Sequence, residues 1–257
     1  MNESADWWAT GIVRMAPGVV ELRGIPVQEL IGSTGFVSTI WLMVRGTLPE
    51  PRAAALLEAA LVASVDHGPQ APSIAIARMT ATCGVGLNNA MASGVNALGD
   101  NHGGAGQQCV ELLNEIVALT DAGAELADTA AEVAGRHRYV PGFGHRFHPI
   151  DPRRDPLLTL VDRAVADGVV TGRHLRAARA VEEFLNQGRV KPVPMNIDGA
   201  TAVIYAELGF APELARGLFV LGRSVGILAH AWEETEQGMR NKGPIPRSIL
   251  PTYRAPT

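Results

Sequence analysis

The stretch PEPRAAALLEAALVASV, residues 49–65, decides the fold class: its apolar residues recur at helical spacing, and Pro49 and Pro51 stand where a helix opens. The same period returns in SIAIARMTATCGVGLNNAMASGVNAL from Ser73, GGAGQQCVELLNEIVALTDAG from Gly103 and DPLLTLVDRAVADGV from Asp155. It continues in RHLRAARAVEEFLNQGR, DGATAVIYAELGF and PELARGLFVLGRSVGILAHAWEETEQG. Strand-like alternation is confined to IVRMAPGVVELRG near the start, so the sequence predicts an all-α fold with one short N-terminal hairpin. Asp155-Pro156 and Pro212 read as helix starts, and Asp198 as an N-cap.

Composition agrees: of 257 residues, 47% are hydrophobic, 19% charged and 5% aromatic, the balance of a globular chain able to build a sizeable core. The formal net charge of −4 gives no electrostatic reason to expect nucleic acid or an anionic membrane as partner. Two cysteines, Cys83 and Cys109, without CxxC spacing, point to a reducing compartment and no structural metal. The N-terminus lacks the basic start and apolar core of a signal peptide, and no apolar run is expected to reach the ~18 residues of a membrane span. A cytoplasmic protein is expected.

Irregular backbone gathers at four joints, 66–72, 99–104, 141–152 and 191–198, and each holds a titratable side chain: His67, His102, His145 with His148, and Asp198. The third lies in YVPGFGHRFHPIDPRRDPL, residues 139–157, where imidazoles and the cations Arg146, Arg153 and Arg154 sit beside glycines that allow close backbone approach to a ligand. As bare local features, His67 reads equally as a helix C-terminal cap, the arginines as solvated surface, and His230, seven positions after Arg223, as a core or supporting group. His145 and His148 lack a third ligand at metal spacing.

Taken in order, the segments ELRGIPVQEL, MVRGTLP, VDHGPQAPS, GDNHGGAGQQ, PGFGHRFHPIDPR, PMNIDGATA and GRSVGILAHAWEE resemble the citrate synthase superfamily across almost the whole chain. The resemblance is nearest to the citryl-CoA lyase module, the C-terminal part of ATP-citrate lyase that also exists as a short free-standing protein. It implies a large domain from residues 1–104 and 200–257, a small domain from 105–199, and a homodimer sharing its sites. It implies reversible cleavage of citryl-CoA, or a related hydroxyacyl-CoA, to acetyl-CoA and oxaloacetate, with the coenzyme A thioester as substrate and no metal. Citrate or 2-methylcitrate synthase-type condensation is the alternative activity, and a non-catalytic acyl-CoA-binding protein a second.

By the same resemblance Asp198 is the acid/base at the acetyl carbon, His102 stabilises the thioester enolate oxygen, and His145 exchanges the proton of the keto or hydroxyl oxygen. His67, Arg153 and Arg223 bind the keto-acid carboxylates, for which a guanidinium fork is suited. Val140, Pro141, Gly142, Phe143 and Gly144 form the coenzyme A loop. The arginine loop is one residue short, so Arg154 competes with Arg153, and Arg146 stands in reserve. Ile245 occupies the place of an arginine common in synthases; Arg240, Lys242 or Arg247 substitutes for it, or the substrate lacks a carboxylate. No segment for activating citrate is present, which implies a separate citryl-CoA synthetase as partner. A thioesterase built on Cys83 or Cys109 is the remaining rival.

Overall fold

The computed structural model describes residues 7–146, 148–243, 245–246, 248–249 and 252–256. Its N-terminal end is a three-stranded antiparallel meander rather than the expected two-stranded hairpin: β1 (Val13–Ala16), β2 (Val19–Leu22) and β3 (Ile25–Pro26), in that order. Val13 pairs with Leu22 and Ala16 with Val19, across a turn in which Gly18 takes φ +76°. The guanidinium of Arg23 pins the sheet to the helix Phe36–Arg45 through the carbonyl of Met43, at 3.0 and 2.6 Å.

Among the described residues eleven helices follow: α1 (Val27–Leu30), α2 (Phe36–Arg45), α3 (Pro51–Ser64), α4 (Pro72–Ala81), α5 (Leu87–Asn96), α6 (Ala105–Asp121), α7 (Leu126–Gly135), α8 (Arg154–Ala166), α9 (Arg173–Asn186), α10 (Ile197–Glu207) and α11 (Pro212–Glu236). The mostly helical class read from the sequence holds. The segment from Ser73 is two helices: α4 stops at Ala81, and the chain turns through Gly84, at φ +82°, into α5. Helices α2 and α7 were not among the periodic segments. Both are amphipathic, but the first is rich in branched and aromatic side chains that suit a strand as well, and the second carries only two large apolar residues. Helix α8 begins at Arg154 rather than Asp155, with Asp155 in its first turn.

Helix α10 is the centre of the fold. Every residue from Gly199 to Ala206 is buried, the mark of a helix enclosed on all sides, and the main core joins it to α3 and α6–α9. A second, smaller core of Ala71, Ile74, Ala77, Ala90, Ile227 and Ala231 lies between α4, α5 and α11. Small side chains bring these helices close: a Cβ at Gly94 would stand 2.8 Å from the Ser73 carbonyl. Helix α11, 25 residues long, is apolar enough by length and composition to cross a membrane, which the expectation of no such run overlooked. Here it packs against α3, α4, α5 and α6 and carries the buried Arg223.

Glu207, the last residue of α10, acts as a tertiary cap for α9. Its oxygens accept from the backbone N–H groups of Thr171, Gly172, His174 and Leu175 at 2.7–3.2 Å, serving a helix whose own N-cap, Gly172, has no side chain.

Candidate active site

Four joints deliver the candidate side chains. The first follows α3. Asp66 Oδ2 accepts from Gly68 N–H at 3.2 Å, Gly68 adopts φ +83°, and Gln70 Nε2 donates to the His67 carbonyl at 2.8 Å, closing a turn that presents His67. The His67 ring lies 5.4 Å from that of His145, with Arg153 Nη2 3.5 Å from its Nδ1. Burial, then the Arg153 and Arg223 guanidiniums, hold its pKa below the usual imidazole range. Because Arg153 can only donate, the proton of neutral His67 resides on Nε2.

His102 sits in a loop closed by reciprocal N–H···O bonds between Gly99 and His102, at 2.8 and 3.2 Å. Its Nε2 accepts the Ser73 N–H at 3.0 Å, within the first turn of α4, and lies 2.9 Å from Ser73 Oγ. With Nε2 occupied as an acceptor, the ring carries its proton on Nδ1. Burial and then Arg223 lower its pKa, and the positive end of the helix adds to the preference for neutral imidazole. A neutral Nδ1–H is a donor suited to an oxygen that gains charge.

His145 follows the VPGFG segment. Its Nδ1 accepts the His148 N–H at 3.1 Å, and its Nε2 faces Asp151 Oδ2 at 3.9 Å. Burial lowers its pKa despite the Asp151 carboxylate. Asp151, whose side chain is fully buried, is a functional group that the sequence reading passed over inside its own motif. It accepts from Arg153 N, Nε and Nη2 at 3.0, 2.9 and 2.8 Å, and although burial works against ionisation these bonds bring its pKa down to about 2. The two arginines point to different partners: Arg153 joins Asp151, His67 and the Ala63 carbonyl, whereas Arg154 Nη2 reaches both carboxylate oxygens of Glu182 at 2.8 and 2.6 Å, away from the imidazoles. Much of Arg153's fork is already taken by Asp151, leaving part of one edge for a ligand.

Asp198 stands in the first turn of α10. The N-cap is Asn196, correcting the expected cap: its Oδ1 accepts from Asp198 N–H at 2.9 Å and Gly199 N–H at 3.2 Å. Freed from capping, the Asp198 carboxyl keeps part of its surface open while packing crowds it. Burial pushes its pKa up, and Arg223 and then Arg153 oppose that without cancelling it. Arg223 is buried on α11, donates from Nε to the Ser64 carbonyl at 3.1 Å and lies over the Phe219 ring.

The same Asn196 sets the VPGFG loop. Its N–H donates to the Gly142 carbonyl at 2.9 Å, its Nδ2 to the Gly144 carbonyl at 2.6 Å, and Gly144 N–H donates to Pro194 at 2.8 Å. Gly142, at φ +86°, is wedged where a Cβ would meet Cys109 Sγ and Gly199 Cα at 2.8 Å. Several backbone groups assigned to the coenzyme are therefore spent on holding the loop to the Asp198 turn. Val140, Phe143 and Gly144 do line an open cleft of about 900 Å³, shared with Arg138 and Arg189. An adjoining cleft of about 410 Å³ adds Lys191, and His145, Arg146 and Arg189 line both. Pro141 faces a separate cavity of about 330 Å³, and the linings of the first two clefts do not include Asp198, His102 or His67.

Of the other basic residues, Arg136 pairs with Glu115 and Glu132, and Arg45 stacks on Phe210. Lys242 bonds Glu234 at 3.2 Å, Arg240 is exposed, and Arg247 lies outside the described residues. Glycine-bounded loops pointed to the imidazoles. Asp66, Asn196 and Arg189 carried no comparable local signal.

An all-α scaffold that gathers imidazoles, guanidiniums and a carboxyl of raised pKa has the groups that acid/base chemistry on an anionic ligand requires. The chain belongs to the citrate synthase family: residues 43–247 match the family described as citrate synthase, C-terminal domain. It is similar to the solved citryl-CoA lyase of Hydrogenobacter thermophilus, with 32% identity and a TM-score of 0.84 over 97% of this chain and 96% of that one. It is 30% identical over 227 residues to ATP-citrate synthase subunit 1 of Sordaria macrospora, covering 80% of this chain and 32% of that protein. Glyoxysomal citrate synthase of Cucurbita maxima is 30% identical over 201 residues, covering 74% and 37%. The chain thus spans about a third of the length of these curated relatives.

Proposed function

We propose that the chain is a citryl-CoA lyase, cleaving citryl-CoA or a related hydroxyacyl-CoA reversibly into acetyl-CoA and a keto acid. The observation that carries the reading is Asp198: a partly open carboxyl in the first turn of α10 whose pKa burial raises, which favours proton exchange with the acetyl carbon. In the cleavage direction the substrate hydroxyl gives its proton to the His145 imidazole. The carbon–carbon bond breaks to a keto carbonyl and a thioester enolate. Nδ1–H of His102 stabilises the enolate oxygen, and Asp198 protonates its carbon. One proton is taken and one is given. Condensation is the same path reversed.

Arg223, the free edge of Arg153 and His67 bind the keto-acid carboxylates in this reading. The cleft holding Arg138, Arg146, Arg189 and Lys191 receives the coenzyme A phosphates, with Val140 and Phe143 beside its apolar part. The two-domain division, a homodimer, a cytoplasmic setting and a separate citryl-CoA synthetase complete the proposal. The exposed stripe Leu221, Val225, Leu228 and Trp232 on α11 supports a second copy as occupant of that face. A cysteine nucleophile is disfavoured: burial pushes the Cys109 thiol far up, and Cys83 bonds the Met79 carbonyl outside the cluster.

Incubation with citryl-CoA tests the proposal. Acetyl-CoA and oxaloacetate are the expected products. Citrate with free CoA would indicate hydrolysis, and no reaction would leave a binding protein.

A further inference from the structure

We infer that His230 is a positioning residue, a neutral imidazole donating from Nε2 that locks the turn bearing His67 against α11. Arg223, Gly226 and His230 lie three and four residues apart on one face of α11, and each meets a successive residue of the turn. Arg223 Nε holds the Ser64 carbonyl at 3.1 Å, and the missing side chain of Gly226 admits the Val65 carbonyl. His230 Nε2 lies 3.3 Å from Asp66 Oδ2. The next residue is His67.

The direction of the last bond follows from the far side of the ring. Arg78 Nη1 lies 3.2 Å from His230 Nδ1, and a guanidinium only donates, so Nδ1 is the acceptor and the proton stays on Nε2. Arg78 is itself fixed by Glu233 at 2.7 Å and by Glu234 at 2.6 Å; the Glu234 side chain is fully buried and also meets Lys242 at 3.2 Å. The backbone N–H groups of Asn241 and Lys242 bond Thr82. A continuous polar chain therefore runs from the segment after α11, through Arg78 and His230, to the turn that aims His67 at Arg153 and His145. Loss of the imidazole releases Asp66, and His67 with it.

The functional consequence rests on the keto-acid reading of His67, so two measurements are paired. Ring ¹⁵N correlation spectra near neutral pH should show His230 as the Nε2–H tautomer; the Nδ1–H tautomer or an imidazolium would overturn the inference. His230→Gln supplies an amide that donates to Asp66 and accepts from Arg78, whereas His230→Leu supplies neither. Oxaloacetate affinity by calorimetry should weaken about tenfold in His230→Leu, the scale of a lost charged hydrogen bond, and by less than about threefold in His230→Gln. For citryl-CoA cleavage kcat should stay within about twofold in both, because positioning for binding appears in affinity rather than turnover. Equal losses in the two variants, or a loss confined to kcat, would mean that His230 only supports the fold. If the wild-type protein neither binds oxaloacetate nor cleaves citryl-CoA, the functional reading fails and the spectra decide: His67 ring signals that shift in His230→Leu but not in His230→Gln sustain the positioning role, and signals that move alike in both overturn it.

Discussion

The site has two walls that are held in place by different means. The wall carrying His145 and Asp198 is fastened by backbone bonds and the Asn196 amide, through Gly142, Gly144 and Pro194, with Gly142 and Gly199 leaving no room for a Cβ. The wall carrying His67 is a turn gripped from outside by side chains of α11, which lie about 160 positions further along the chain. Arg153 spans the two, with Asp151 on one side and the Ala63 carbonyl and His67 on the other. In the proposed reading the proton-transfer groups sit on the wall whose backbone bonds should make it the stiffer, whereas the proposed carboxylate contacts depend on a side-chain clamp.

The largest test of that division is Asp198→Asn. It leaves the Asn196 cap intact and removes the carboxyl, so turnover should fall by about 10²-fold or more with little change in ligand binding. Near-normal steady-state turnover would break the assignment of the stiffer wall. Arg153→Ala should weaken keto-acid affinity by on the order of 1.5–3 kcal/mol and also loosen the link between the walls. Its neighbour Arg154→Ala should lower thermal stability with KM unchanged; a raised KM for Arg154→Ala instead would reverse the choice of arginine.

Glu207 offers a comparison away from both walls. Burial works against its ionisation, but the His174 side chain and backbone donors outweigh it and bring its pKa from the model-compound 4.5 down to about 2. A depressed carboxylate pKa stabilises the fold above the unfolded value, and that stabilisation is lost as pH falls through about 2. Glu207→Gln should therefore cost about 1–3 kcal/mol near neutrality, and the difference from wild type should shrink in urea melts taken toward that acid limit. A pH-independent difference would deny the role of the charge.

Two glycines of α11 sharpen the account of the clamp. Gly226→Ala drives a Cβ into the Val65 carbonyl, and a cost of about 1–3 kcal/mol with weakened oxaloacetate binding is expected. Gly217, exposed and with nothing within 4 Å of its would-be Cβ, should accept Ala with a gain of up to about 1 kcal/mol, read as a rise in Tm. If Gly226→Ala proved as harmless as Gly217→Ala, close approach of α11 to the turn would not be what holds His67.

Much of the helical framework was legible because a period of 3–4 apolar residues survives in the sequence wherever a helix has one buried face. Helix α2 escaped because, although it keeps that period, it is short and its branched and aromatic side chains suit a strand as well, and α7 because so few of its side chains are large. The break at Gly84 was hidden because both flanking segments carry the same small-residue pattern. At the site, glycine- and proline-bearing joints exposed His67, His102, His145 and Asp198, since such backbone is where a chain departs from its regular period. Asn196 was overlooked as the cap because Asp198, two residues on, suits the same position by residue type.

By itself the sequence determined residue chemistry and local period: which segments coil, which joints carry imidazole, and which cations stand near a glycine loop. Only the tertiary structure placed Arg153 beside His67 and Arg154 beside Glu182, because successive residues at a helix start point about 100° apart and a small shift in where α8 begins exchanges their directions. It alone paired Arg153 with Asp151, Asp66 with His230 and Asn196 with the VPGFG loop. The last two pairs join residues far apart along the chain, and a carboxylate or amide bears no local mark of the partner that burial will give it. The raised Asp198 pKa has the same origin: desolvation is a property of what packs around a group, and the packing comes from helices distant in sequence.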